Sequence, residues 1–183
     1  MRYHNITKDD MLNGDGLRVV LWVSGCEHRC AGCQNPITWN PEDGLLFDEA
    51  ARTEIFDLLG KSYISGITFS GGDPLYEENC EEILQLCSEI RERFPEKTIW
   101  LYTGYTWEYI NSNYVASSKY KLLRKQILNN IDVLVDGKFM LGLKNVKYHW
   151  AGSTNQRVID VQSSIEKNCI VLKGEHIDDY LDS

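Results

Sequence analysis

The chain has 183 residues, 43% of them hydrophobic and 25% charged, which fits one globular domain able to bury a core of its own. Its 27 acidic against 19 basic residues give a formal net charge of -8 without any cluster of Lys and Arg, so nucleic acid is not expected as a main partner. The first twelve residues are polar where a secretory signal would be apolar, and no apolar run approaches the ~20 residues of a membrane span; a cytoplasmic chain with reduced thiols is expected.

In chain order, residues 17–23 (LRVVLWV) predict a buried strand that Gly25 breaks. Residues 48–59 predict a helix with Asp48 as its N-cap and Ala51, Ile55, Leu58 and Leu59 on one face. A second strand, 66–69, runs into Ser70-Gly71-Gly72-Asp73-Pro74. Residues 77–94 predict a helix with Cys80, Ile83, Leu84, Cys87, Ile90 and Phe94 on its apolar stripe, and a solvated acidic face of Glu77, Glu78, Glu81 and Glu82. A third strand, 98–102, stops at Gly104, a helix covers 119–130, and a fourth strand, 131–135, stops at Asp136-Gly137. Residues 157–162 and 168–172 read as two further strands about a polar turn.

Alternating strands and helices imply an α/β fold with a largely parallel sheet. Ligands of such sheets bind beyond the carboxyl ends of the strands, where the Gly-rich breaks fall. The chain is expected to form a single domain over 1–183, its motif-bearing core ending near Arg157 and a C-terminal extension occupying 158–183.

Six cysteines need explaining. Cys80 and Cys87 sit on a helical apolar stripe and Cys169 in an apolar run, all expected in the core. Cys26, Cys30 and Cys33 instead crowd into a C-x3-C-x2-C run with Gly25 and Gly32 to let the loop wrap. A structural zinc site would want a fourth ligand, for which no second pair stands at suitable spacing and His28 is a poor substitute. Unliganded cysteines grouped by chance are a second possibility. An iron–sulfur cluster is the third; a cubane ordinarily takes four thiolates, so three would leave one iron open to an outside molecule. Asp136 and Lys138 either line a site or merely end a strand. Trp100 and Tyr102 are expected to pack against the sheet.

The cysteine run after the first strand resembles the signature of radical S-adenosylmethionine enzymes, and Ser70-Gly71-Gly72-Asp73-Pro74 resembles their strand-end Gly-Gly motif. Within that superfamily the chain is similar to the activating proteins of anaerobic ribonucleoside-triphosphate reductase from Tyr3 to about Arg157. The similarity includes Asn13-Gly14 with Gly16 and Arg18, the segment 26–39 with Asn35-Pro36, and residues 66–75. It continues through WLYTGY at 100–105, VLVDGKF at 133–139 and GSTNQ at 152–156. Two positions depart: Gly32 stands where many such enzymes carry an aromatic residue, and Asp15 where relatives often have Pro.

The resemblance implies a partial (β/α) barrel of largely parallel strands. It implies a 4Fe-4S cluster on Cys26, Cys30 and Cys33, partly buried with few hydrogen-bond donors. S-adenosyl-L-methionine would lie near Gly32, Cys33, Gln34, Ser70, Gly72 and Asp73. Reductive cleavage of that cofactor would yield a 5′-deoxyadenosyl radical, which takes a hydrogen from a glycine of the partner. The implied partners are the large catalytic subunit of the reductase and a reduced, flavodoxin-like electron donor. Activation of another glycyl-radical enzyme such as pyruvate formate-lyase, a small-molecule radical enzyme, and a zinc-stabilised binding module without catalysis stay open at this level.

Overall fold

The computed structural model describes residues 1–112 and 119–173. The strands are β1 (Arg2–Asp10), β2 (Arg18–Val23), β3 (Leu45–Leu46), β4 (Gly66–Gly71), β5 (Thr98–Tyr102), β6 (Val133–Asp136) and β7 (Arg157–Asp160). The helices are α1 (Glu49–Leu59), α2 (Cys80–Arg93), α3 (Trp107–Asn111), α4 (Lys119–Asn130) and α5 (Val161–Lys167).

All seven strands join one sheet in the order β3-β1-β2-β4-β5-β6-β7. The four central strands, β2, β4, β5 and β6, run parallel. The others pair antiparallel with their neighbours, β1 with β2 and β3, and β7 with β6. The fold is thus α/β with a parallel centre, and the sheet is not closed into a barrel.

Central strands are covered on both faces and so read as continuous apolar runs. In β2, Val19, Val20, Leu21 and Val23 are all fully buried. The Asp48 carboxylate caps α1 by accepting the Ala51 N–H at 3.0 Å, as its sequence position predicts. Along α2, Cys80, Ile83, Leu86, Cys87 and Ile90 turn into the core, while Glu81 and Glu82 open the helix and Arg91 and Arg93 close it. That polarity suits the helix macrodipole.

Arg18 at the start of β2 is fully buried. Its guanidinium donates to Thr68 Oγ1 (2.8 Å), the Ile67 carbonyl (2.7 Å) and the Thr98 carbonyl (2.9 Å), tying three adjacent strands together. Burial lowers its pKa to about 10, so it remains a cation at neutral pH.

Three expectations change. The polar opening of the chain forms β1, a strand with Ile6 as its one buried side chain. The predicted strand 157–162 ends at Asp160, whose carboxylate accepts the Ser163 N–H at 2.9 Å and starts α5. Residues 168–172 form no strand; they contribute an isolated bridge between Leu172 and Ile159, and Cys169 is exposed rather than in the core. It follows Asn168, whose left-handed φ of 51° ends α5 in a tight turn. Of the 158–183 extension, 174–183 lie outside the described residues. No helix among the described residues is long and apolar enough to cross a membrane.

Candidate functional site: a three-cysteine cleft at the carboxyl ends of the parallel strands

A cleft of about 680 Å³ opens where the parallel strands end. Cys26, Cys30 and Cys33 line it after β2, Ser70 to Asp73 at and just beyond the end of β4, Thr103 and Gly104 after β5, and Gly137 and Phe139 after β6. Residues 146–152 and Gln156 complete the wall. The turn chemistry that ends each strand therefore converges on one place.

The cysteine loop is built as a closed unit. The Gly25 and Cys26 amides donate to the Thr38 and Trp39 carbonyls at 2.8 and 3.1 Å, joining the start of the loop to its return leg. The Cys33 N–H donates to the Cys30 carbonyl at 3.1 Å, a turn that Gly32 permits with its φ of 72°. The Asn35 N–H donates to Cys33 Sγ at 3.4 Å.

Burial is the main force on the thiols, with the Asp73 charge adding to it at Cys26. Together they push Cys26 up to about 11, and burial raises Cys30 as well. Such thiols keep their protons at neutral pH until a metal cation displaces them. All six cysteines are unpaired. Among the described residues no three His, Cys, Asp or Glu side chains converge as a single-ion site. Three thiols on one short loop, with no fourth cysteine among the cleft-lining residues, are the set that would leave one iron of a cubane open. The donor set thus fits an iron–sulfur cluster held by three thiolates.

The other expected contacts fall into two groups. Gln34 and Ser70 line the cleft. Gly72 also lines it, but its missing side chain makes room for protein: a Cβ there would lie 2.5 Å from the Gly25 carbonyl oxygen. Gly32 is exposed beside the Leu141 side chain, where a Cβ would come within 2.9 Å of it. Asp73 borders the cleft with its carboxylate already occupied, accepting from Leu75 N–H, the Thr103 hydroxyl and Gly104 N–H. Tyr102 packs against the sheet cluster of Trp100, Val133, Val135 and Val158, as expected, and also lines the cleft, while Trp100 is buried edge-on against Trp150. Asp136 is buried and bonded to Arg157 and the Trp107 amide, which makes it structural. Lys138 is not among the lining residues.

Sequence patterns did not reveal the link between His28 and Asp73 or that between Glu27 and Tyr105. Their partners stand 45 and 78 residues apart, and no local periodicity marks them.

A family model described as "4Fe-4S single cluster domain" matches residues 12–159, which include the whole cysteine loop. The chain is 46% identical over 158 residues to the anaerobic ribonucleoside-triphosphate reductase-activating protein of Enterobacteria phage T4, covering 86% of this chain and 93% of that one. It is 41% identical over 160 residues to the protein of the same name from Escherichia coli K12, covering 86% and 97% of the two chains. The Vibrio cholerae protein of that name is 37% identical over 158 residues, with 85% and 96% covered.

The chain belongs to this family.

Membership identifies the group carried by the domain as a 4Fe-4S cluster. The family match stops at residue 159, one residue before the carboxylate that caps α5.

Proposed function

We propose that this activating-protein family member cleaves S-adenosyl-L-methionine reductively and generates a glycyl radical on the large catalytic subunit of an anaerobic ribonucleoside-triphosphate reductase. The observation that carries the reading is a loop of three thiols opening on one cleft, with no fourth thiol among the cleft-lining residues. Cys80 and Cys87 are buried in α2, and Cys169 stands exposed after α5.

Cys26, Cys30 and Cys33 would hold the cluster. When bound, the cluster supplies the electron that breaks the cofactor's carbon–sulfur bond, and its open iron supplies the anchoring point. The protein's share is orientation and exclusion of water. Gln34 and Ser70 offer polar groups to the cofactor, and Trp22 and Tyr102 contribute aromatic surface to the same walls. The Gly72 backbone lies against the base of the cysteine loop, with its N–H donating to the Val23 carbonyl at 2.8 Å, and so fixes the floor beside the cofactor. Glycine abstraction needs no general acid or base from this chain.

The finer parts of the reading rest on the resemblance. They are one domain over 1–183, a partial (β/α) barrel in which the parallel centre is the catalytic half, and a reduced flavodoxin-like donor. Six unpaired cysteines support a reducing compartment, and we place the protein in the cytoplasm.

Mixing the anaerobically reduced protein, S-adenosylmethionine and the reductase large subunit should produce a glycyl-radical signal by electron paramagnetic resonance. No signal with the reductase, together with one on pyruvate formate-lyase, would move the activity to a different partner.

A further inference from the structure

The three residues between Cys26 and Cys30 are anchored from both sides by protein groups. The His28 side chain is 6% exposed and turns inward, its Nε2 lying 2.8 Å from Asp73 Oδ2. Its ring packs edge-on to Tyr105 at 4.5 Å. It occupies space that exists because residue 104 is glycine: a Cβ there would stand 2.2 Å from His28 Cδ2. The Asp73 carboxylate is itself fixed by Thr103, Gly104 and Leu75, and the Asp73 N–H donates to the Gly25 carbonyl at 2.7 Å. One residue earlier, Glu27 accepts the Tyr105 hydroxyl at 2.5 Å, and that oxygen accepts from Arg124 of α4 at 2.9 Å. Arg29 then reverses the chain with a φ of 46°, ahead of Cys30.

We propose that His28 and Asp73 are positioning residues that set the shape of the Cys26–Cys30 segment before metal arrives, a role that rests on the functional reading above for what the loop then receives. The physical reason is entropic. Ordering three backbone residues costs conformational entropy, and a loop already ordered by protein hydrogen bonds no longer takes that cost from metal binding. This gives the Asp of the Gly-Gly segment a task different from touching the cofactor. Its two oxygens already accept from four protein donors, leaving little capacity for a cofactor ammonium.

The test uses the full chain in two states. In the metal-free chain, amide hydrogen exchange across residues 26–33 should quicken at least about tenfold in His28→Phe, which keeps an aromatic ring and loses the donor. Gly104→Ala, which displaces the ring, should act alike, and His28→Gln should recover much of the protection. In the iron-loaded chain, removal of iron by a chelator should be about 10–100-fold faster in His28→Phe, in step with the loss of metal affinity typical when a group supporting metal ligands is removed. Phe56→Leu weakens the core under α1 and serves as a stability control; it should leave loop exchange unchanged. Wild-type exchange in His28→Phe, or equal acceleration in Phe56→Leu, would overturn the proposal. A protected wild-type loop that takes up no iron would support the anchor and refute the functional reading.

Discussion

Cysteine environments differ enough in this chain to be told apart chemically. Burial pushes Cys80 and Cys87 up to about 12, and both are fully enclosed in α2. Cys169 is exposed, and Cys33 is half-buried at the cleft. Thiolate character and access govern alkylation. Iodoacetamide at pH 8 should therefore modify Cys169 and then Cys33 of the metal-free native chain, reach Cys26 and Cys30 slowly, and leave Cys80 and Cys87 until unfolding. Peptide mass spectrometry reads the order, and early modification of Cys87 would contradict the burial described. At this scale the cysteine run was legible because three thiols in eight residues are rare without a shared ligand. Cys169 was not: its apolar neighbours suggested a strand, whereas the Asn168 turn directs it outwards. Asp73 lines the cleft, but its bonds to His28, Thr103 and Gly104 involve separated segments that only folding brings together and that the sequence did not signal.

Among the elements, α1, α2 and α4 were read within a few residues of their observed limits from their apolar stripes, with the Asp48 cap adding to the signal at α1. The central strands were read well for a related reason: burial on both faces leaves an unbroken apolar run. β1 escaped because one strand residue, Ile6, is buried, so the alternation that marks a strand is nearly silent. α5 escaped because its seven residues carry a single capping carboxylate after a β-branched run. The junction of α3 and β7 offers a pH test. Arg157 hydrogen-bonds Glu108 at 2.9 Å on both oxygens and also Asp136, holding Glu108 down to about 2. A depressed carboxyl stabilises the fold above its ordinary value of 4.5, and that share is lost as pH falls towards about 2. Glu108 is largely exposed, so solvent screening limits the contribution to under about 1 kcal/mol. Denaturant titrations should show Glu108→Gln less stable than wild type by that margin at pH 7, with more than half of the gap gone near pH 3. A gap unchanged between pH 7 and pH 3 would contradict the linkage.

Across the molecule, four parallel strands deliver their loops to one end while the antiparallel β1, β3 and β7 flank them. This arrangement explains how residues as far apart as Cys26, Ser70, Tyr102 and Phe139 share a cleft. The location of the site was legible from strand-ending glycines, since parallel strands in a crossover fold must all end on the same side. The antiparallel edges of the open sheet were not, because pairing of edge strands depends on register and turn geometry that apolar patterning does not encode. The 146–152 wall was equally hidden, having neither helical nor strand periodicity. The most direct measurement is electron–nuclear double resonance on the reduced, iron-loaded protein with S-adenosylmethionine labelled with 15N at its amino group and 17O at its carboxylate. The account predicts hyperfine coupling of both labels to the cluster, showing an iron corner that three cysteines leave free. Absence of coupling, with that corner held by a protein side chain such as His149, would contradict it.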